Sequence, residues 1–252
     1  MVRSRQTRFW RSPVTVPSVI ERPDSRAKLA EVLEAHGIRA SLAQQAKWGL
    51  GLVPADAAES RLGGRPLIDG EWPRSSDGHA HTHLASIALS EVPDFEERDL
   101  LPSSGTLVFF AFVGDAGDDE AHVVHVPTAA GARIAPPDES LEERVVPAEL
   151  EERRVRLEPM LTLPFPDDLE DEEETALLNL EELNAPDHLL LGHPIYVQDN
   201  PPEDGRISLL QINWDEPLGF MFGDGGQITL HGTADDIRAG RWDRITAQTD
   251  DS

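Results

Sequence analysis

The sequence predicts an α+β fold: two similar halves, each built on a mixed or antiparallel sheet, follow N-terminal helices and pack as one globular unit. Three observations predict it. Helix-like periodicity is concentrated before residue 50, short apolar runs bounded by Gly, Pro and Asp dominate after Leu62, and a set of four sequence features occurs twice in the same order.

The helical part begins at Asp24, an acidic N-cap candidate, and runs through Ala27, Leu29, Ala30, Val32, Leu33 and Ala35 to Gly37, a stop signal. A second helix is expected from Ser41 to Trp48, with Ser41 as its cap. Strands are expected at 83–89, 105–113, 122–126, 153–157, 208–213 and 226–231, where β-branched, aromatic and aliphatic residues cluster between turn residues. From Asp167 to Glu182 nine of sixteen residues are acids and none is basic. Leu169, Leu177, Leu178, Leu180 and Leu183 make a helical stripe at the end of this run, so it reads as a solvated bridge between the halves. A calcium loop would need spaced oxygen ligands around a Gly turn, and the run contains no Gly.

The repeat carries the domain reading. Leu62-Gly63-Gly64-Arg65-Pro66 is echoed by Leu191-Gly192-His193-Pro194, with the two prolines 128 residues apart. An Asp-Gly turn follows each, at Asp77-Gly78 and Asp204-Gly205, then an apolar strand, at His83 to Ile87 and Leu209 to Ile212. Each set ends on Gly and an alternating strand, Gly105 to Phe109 and Gly226 to Leu230. Such a series implies a duplicated unit with halves at about 62–130 and 188–245, joined by an acidic bridge at 167–182. Residues 21–252 then form the domain, 1–20 a basic tail, and the seam between the halves is where a cleft is expected.

Charge excludes several functions. The 252 residues carry a formal net charge of −25. The first 20 contain Arg3, Arg5, Arg8 and Arg11 and no acid, so the rest of the chain is more acidic still. An acidic chain with basic residues scattered along it repels a phosphate backbone, so no nucleic-acid role is expected. The longest apolar runs, such as Thr106 to Val113, are strand length and too short to span a bilayer as helices, so no membrane role is expected. The absence of cysteine removes disulfides, thiol nucleophiles and Cys-ligated metals and fits a reducing cytoplasm.

Few residues stand out as chemistry. His79, His81 and His83 would lie on one face of a strand and could ligate zinc or copper, but no carboxylate ligand is fixed by spacing beside them. An exposed strand entrance is the preferred reading of that cluster. No phosphate loop, nucleophile elbow or zinc-protease motif occurs, and no cofactor is implied. Trp72, Trp214 and Trp242 sit beside loop residues, where an indole can line a cleft or fill a core.

The ordered motifs resemble the YwqG-like family of bacterial proteins, a domain of unknown function, over about Leu62 to Gln248. In the first half the likeness rests on Leu62-Gly63-Gly64-x-Pro66, Trp72-Pro73, Leu84-Ala85-x-Ile87-x-Leu89, Leu100-Leu101-Pro102 and Gly105-x-Leu107-x-Phe109-Phe110. In the second half it rests on Leu191-Gly192-His193-Pro194, Gln198, Leu209-Leu210-Gln211-Ile212, Phe222-Gly223-Asp224-Gly225-Gly226 and Asp236-Ile237 through Gly240-Arg241-Trp242-Asp243-Arg244. Two departures are a short stretch from Pro66 to Trp72 and Ser86, which stands where the family commonly has Gln. The resemblance implies an α+β fold, no established reaction and a binding role, since relatives look like accessory proteins beside secreted toxins.

The expected function is therefore that of a non-enzymatic cytoplasmic binding protein, an acidic immunity or accessory protein engaging a basic, toxin-like partner or a small polar ligand. The candidate residues are Trp72, His193, Gln198, Gln211, Trp214 and Asp224. His193, Gln198 and Gln211 would hydrogen-bond, Trp72 and Trp214 would stack, and Asp224 would fix a turn or meet a cation. The alternative is a hydrolase-type enzyme using carboxylates and His193 in the cleft between the halves.

Overall fold

A computed structural model describes residues 23–114, 119–127, 132–137, 146–166, 168–184, 186–196, 205–223 and 225–250. The basic tail lies outside this set. The first helix, α1 (Arg26–Ala35), is capped by Ser25 rather than Asp24, because the Ser25 hydroxyl accepts from the Lys28 amide while Asp24 pairs with the Lys28 ammonium at 2.6 Å. Leu29 and Leu33 are its buried face, and Gly37 ends it at φ +76°.

The expected second helix is corrected. Its first part is a 3-10 turn (Ala40–Gln45), and its last residues begin a strand, β1 (Lys47–Pro54). Leu50 and Leu52 face the core from β1 while Gly49 and Gly51 face the other way. The glycines mimic a turn in sequence, but a Cβ on Gly49 would sit 2.9 Å from the Leu191 carbonyl oxygen, so the neighbouring chain requires Gly there.

The other strands are β2 (Arg61–Leu62), β3 (Leu67–Ile68), β4 (Thr82–Ala88), β5 (Thr106–Phe112), β6 (Glu120–Val126) and β7 (Ala132–Arg133). They are followed by β8 (Arg153–Thr162), β9 (His188–Leu191), β10 (Arg206–Asn213), β11 (Gln227–Thr233) and β12 (Thr246–Asp250). All six strands expected from sequence are present. Ten strands form one sheet in the order β12-β11-β10-β9-β1-β8-β2-β4-β5-β6, every neighbour antiparallel, and β3 pairs with β7 in a small separate ribbon. The fold is mostly antiparallel sheet with few helices.

The two expected sheets are thus one. Leu84, Ile87 and Phe109 pack with Leu209, Ile212, Ile228 and Leu230 in a single buried cluster that also takes Leu50 and Leu52. The sheet curls around it until the edge strands β6 and β12 touch. Asp119, just before β6, accepts from the backbone N–H and the hydroxyl of Thr249 at 2.6 and 2.7 Å, which satisfies a donor on the open edge of β12.

The acidic run is a helix packed on this sheet, α2 (Asp171–Asn184), rather than a solvated span. Its first turn is Asp171, Glu172, Glu173 and Glu174, a placement the positive end of the helix dipole favours. Leu177 and Leu180 are buried against α1, the 3-10 turn and Leu161 of β8. Because β8 and β9 both run antiparallel to β1, they are parallel to each other, and α2 is the crossover between them.

Each wing of the sheet carries a register shift. The β4–β5 register shifts between His83 and Ala85, and the β10–β11 register shifts between Ser208 and Leu210. After β2, Gly63 and Gly64 have φ of +57° and +67°, and where β9 ends Leu191 and Gly192 have +59° and +80°. A Cβ on Gly63 would lie 2.1 Å from the Glu151 carbonyl oxygen, so this turn admits only Gly.

Replacing Asp119 with Ala should open the closure between β6 and β12. The expected cost is about 1–3 kcal/mol in denaturant unfolding, with faster hydrogen exchange at the Thr249 amide than at Ile228; unchanged exchange at Thr249 would contradict the closing role.

Candidate functional site

The helices and the sheet leave a groove between them. Leu29 and Val32 of α1, Leu161 of β8, Leu180 of α2 and Leu189 of β9 make its apolar walls, and His193 and Gln211 close one end. The cavity at its centre is about 70 Å³. Two of the six candidate residues therefore meet here.

Both are fixed by the backbone around them. The His193 amide donates to the Thr162 hydroxyl at 2.7 Å, and the His193 Nε2 donates to the Gln45 carbonyl at 2.9 Å. Burial pushes the imidazole pKa down to about 4, with Lys47 adding to the effect, so His193 is neutral near pH 7. Gln211 pairs with Ile195 as another strand would: its Oε1 accepts from the Ile195 N–H at 3.2 Å and its Nε2 donates to the Ile195 carbonyl at 2.6 Å. The same Nε2 lies 2.7 Å from the Gln227 Oε1, and Gln227 also donates to the Ile195 carbonyl.

Gln211 opens onto a polar sheet face that sequence reasoning missed. On the outer side of β10 and β11 lie Ser208, Gln211, Gln227, Thr229 and His231, all buried. Tyr196 covers part of this face, its hydroxyl 3.3 Å from the His231 Nε2. Burial pushes His231 down to about 4, helped by Arg206, and pushes the Tyr196 phenol up, so the phenol donates and the imidazole accepts. The sequence signal existed as polar residues 227, 229 and 231 alternating with Ile228 and Leu230. Alternation alone reads as a solvent face, and only the covering segment makes it a buried one.

The remaining candidates lie elsewhere or are undescribed. Trp72 is buried under the first wing, its indole N–H donating to the His81 carbonyl at 2.8 Å and its ring edge-on to Phe110 at 5.5 Å. This packing corrects the expectation of an indole presented for stacking. Trp214 is half-buried beyond the end of β10, with its amide bonded to the Gly226 carbonyl, and does not line the groove. Gln198 and Asp224 lie outside the described residues.

The histidine cluster does not present one face either, because His79 and His81 precede β4 and only His83 lies within it. His79 stacks on Phe112 at 5.5 Å. The ring nitrogens of His83 meet the Gly64 carbonyl at 3.0 Å and the Ser86 hydroxyl at 2.9 Å, and burial holds its pKa down to about 4. Among the described residues no group of three His, Asp or Glu could hold a metal ion.

Two further polar places bear on the enzyme alternative. Asp215 accepts from Arg153 at 2.5 Å and faces the His188 Nε2 at 3.4 Å, an arrangement that resembles a catalytic pair. The His188 Nδ1, however, accepts the Asn213 amide at 3.3 Å, so neither ring nitrogen is left to act as a base. Burial works to raise the Asp215 pKa, and the His188 and Arg153 contacts outweigh it and hold the carboxylate below its ordinary value.

The second place is a cleft where the wings adjoin, between Gly64 and Arg65 on one side and Glu216 to Gly219 on the other. Arg65 is doubly bonded to Glu149 at 2.7 and 3.1 Å, and Arg133 bonds Glu152 at 2.7 Å. The basic residues are less scattered in space than in sequence: β8 carries Arg153, Arg154 and Arg156, and Arg61 of β2 sits beside it. Carboxylates interleave with them, Glu152 beside Arg61 and Glu158 against Arg156, so the patch is mixed in charge rather than a phosphate-binding stripe.

Neutral, buried histidines set the pH response. His83, His193 and His231 have folded-state pKa values of about 4 against about 6.5 when unfolded. The unfolded chain therefore binds more protons between those values, and stability should be complete above about pH 6.5 and decline as pH falls toward 4. In NMR titrations the ring signals of these three should stay in place from pH 7.5 to 5.5, and a midpoint near 6.5 for His193 would refute its burial in this state.

No curated protein matches the chain. Residues 60–250 match the model of the DUF1963 family, a domain of unknown function, so α1 and β1 precede the matched span and the chain belongs to that family.

Proposed function

We propose that this protein is a non-catalytic binding protein that takes a basic, partly apolar segment of a partner in the groove between α1, α2 and the sheet. The observation that carries the reading is an apolar groove bordered by a helix whose first turn is acidic. Half-buried Val32, Leu163 and Ile195 offer contact area over the buried leucines of the floor, and the exposed acids Glu170, Asp171 and Glu172 stand at the start of the helix whose Leu180 lines the groove. Apolar contact supplies affinity, and the surrounding negative field supplies association rate and selects a basic partner.

The hydrolase alternative has less support. His193 spends its Nε2 proton on the Gln45 carbonyl, and Gln211 is engaged with Ile195, so the polar end of the groove is committed to holding backbone. The resemblance to the YwqG-like family gives the binding reading a concrete form, neutralisation of a basic toxin in the cytoplasm. A small polar ligand on the same Gln211 side is the lesser variant.

A duplication is the proposed origin of the scaffold, with the halves and boundaries expected from sequence. Its support is the matching pair of register shifts at Leu84 and Leu209 and the matching positive-φ turns after β2 and at the end of β9. In that alignment Ser86 and Gln211 correspond, each two residues beyond its register shift.

The test is binding of fluorescent basic peptides containing aliphatic residues, measured by anisotropy against acidic peptides of the same length. Affinity for the basic peptides should fall at least tenfold between 50 and 500 mM salt. Val32→Glu, at a half-buried groove position, should abolish binding with little change in thermal unfolding, and Glu170→Gln with Glu172→Gln should weaken it several-fold. Salt-independent binding, or full binding by Val32→Glu, would sink the reading.

A further inference from the structure

The arginines of β8 and its neighbours are not all matched by acids. Arg153 pairs with Asp215 at 2.5 Å, Arg156 with Glu158 at 2.6 Å and Arg133 with Glu152 at 2.7 Å. Arg61 and Arg154 remain, and among the described residues no carboxylate is hydrogen-bonded to either. The pairing of β2 with β8 sets these two directly opposite each other, which puts both side chains on one face with Cβ atoms about 5 Å apart. Like charges in that position repel.

Arg61 bears the larger cost. Its side chain is 15 % exposed, its Nε is buried without a hydrogen-bond partner, and the carboxylate in ion-pair range, Glu152, stands 3.9 Å away. The same Glu152 oxygen is already bonded to Arg133. On its other side Arg61 faces Ser86 of β4, whose hydroxyl is bonded to the neutral His83, so β4 supplies no acid there. Burial, and then the guanidiniums of Arg133 and Arg154, push the Arg61 pKa below its ordinary value against the pull of Glu152. A guanidinium keeps its proton at any physiological pH, so the imbalance is relieved by an anion rather than by titration. Arg154 is exposed and gives one hydrogen bond, from Nη1 to the Ala58 carbonyl at 3.1 Å. It lines an open cleft with Glu152, Arg156 and the segment 54–57.

We propose that Arg61 and Arg154 form a binding site for a small oxyanion, the carboxylate or phosphate group of a small molecule, bridged between β2 and β8 beside this cleft. A guanidinium presents paired N–H donors that match two oxygens of either group. Small size follows from charge. The net charge of −25 repels an extended polyanion, whereas a single group meets chiefly the local field of Arg61, Arg133 and Arg154 against Glu152. The cleft shares no lining residue with the groove between α1 and α2, so this ligand is additional to the basic segment proposed there.

The test is titration of the full-length protein with inorganic phosphate and with acetate, at pH 6.5 and constant ionic strength in chloride, read at the arginine Nε–Hε signals by NMR. The Arg61 signal should shift saturably, with half-saturation at or below about 5 mM. That of Arg65, which both oxygens of Glu149 hold, should stay in place. Arg154→Gln, at an exposed position, should weaken binding at least fivefold. Arg61→Met keeps the apolar stem and removes the buried charge: it should abolish the rise in unfolding temperature that the anion produces and leave the protein at least as stable in chloride. Tighter binding of phosphate assigns a phosphorylated ligand, and tighter binding of acetate a carboxylic acid. Binding of neither, a non-saturating shift shared by Arg61 and Arg65, or full binding by Arg154→Gln overturns the proposal. Marked destabilisation by Arg61→Met in chloride would show the guanidinium already satisfied and overturns it as well.

Discussion

The structure depends on β1 lying between β8 and β9. Without that strand the sheet divides into two wings, one ending at β8 and the other beginning at β9, each with an open edge of unpaired backbone. With it, eight residue pairs tie β1 to β8 and three tie it to β9. Leu50 and Leu52 then join the apolar side chains of both wings in one core. The cost falls on Gly49, where the close approach of Leu191 leaves no room for a side chain. Residues upstream of the family's matched span thus supply the central strand of its sheet.

The same insertion produces the groove. Since β8 and β9 flank β1 and run parallel, the chain must cross over β1 to connect them, and α2 is the crossover. It lands beside α1, which the start of β1 places on the same outer face. Two helices that bury only part of their apolar surface against a sheet leave a furrow, and the acids beside it, in the first turn of α2, sit where the helix dipole favours them. Fold and groove therefore share one cause.

Buried polar groups divide the two wings. On the first, the outer face is covered by Trp72, Ile68 and Ala148 over Val108 and Phe110, an apolar seal. On the second, Gln211, Gln227 and His231 occupy the outer face and are bonded to Ile195 and Tyr196. An amide side chain buried with its partners supplied costs little, and it fixes the covering segment in a single register more sharply than aliphatic contacts would. That register sets the position of His193 at the end of the groove. His193 and His231 are neutral because burial without a carboxylate partner disfavours their charged form.

By itself the sequence determined what depends on local pattern. Turn glycines, strand alternation and the Leu177/Leu180 spacing made all six expected strands, α1 and the helical end of the acidic run legible, because these follow from steric preference and periodicity along a few residues. Composition bounded the function, since charge and the absence of cysteine are properties of the whole chain. Tertiary structure decided what depends on partners far away in sequence. Nothing in Lys47 to Pro54 says strand until β8 and β9 are beside it, and nothing in Trp72 distinguishes a core indole from a ligand platform until Phe110 and the His81 carbonyl are in place. Nor could His193 and Gln211 be known to share a groove with α1, because the contacts that join them close loops of more than a hundred residues.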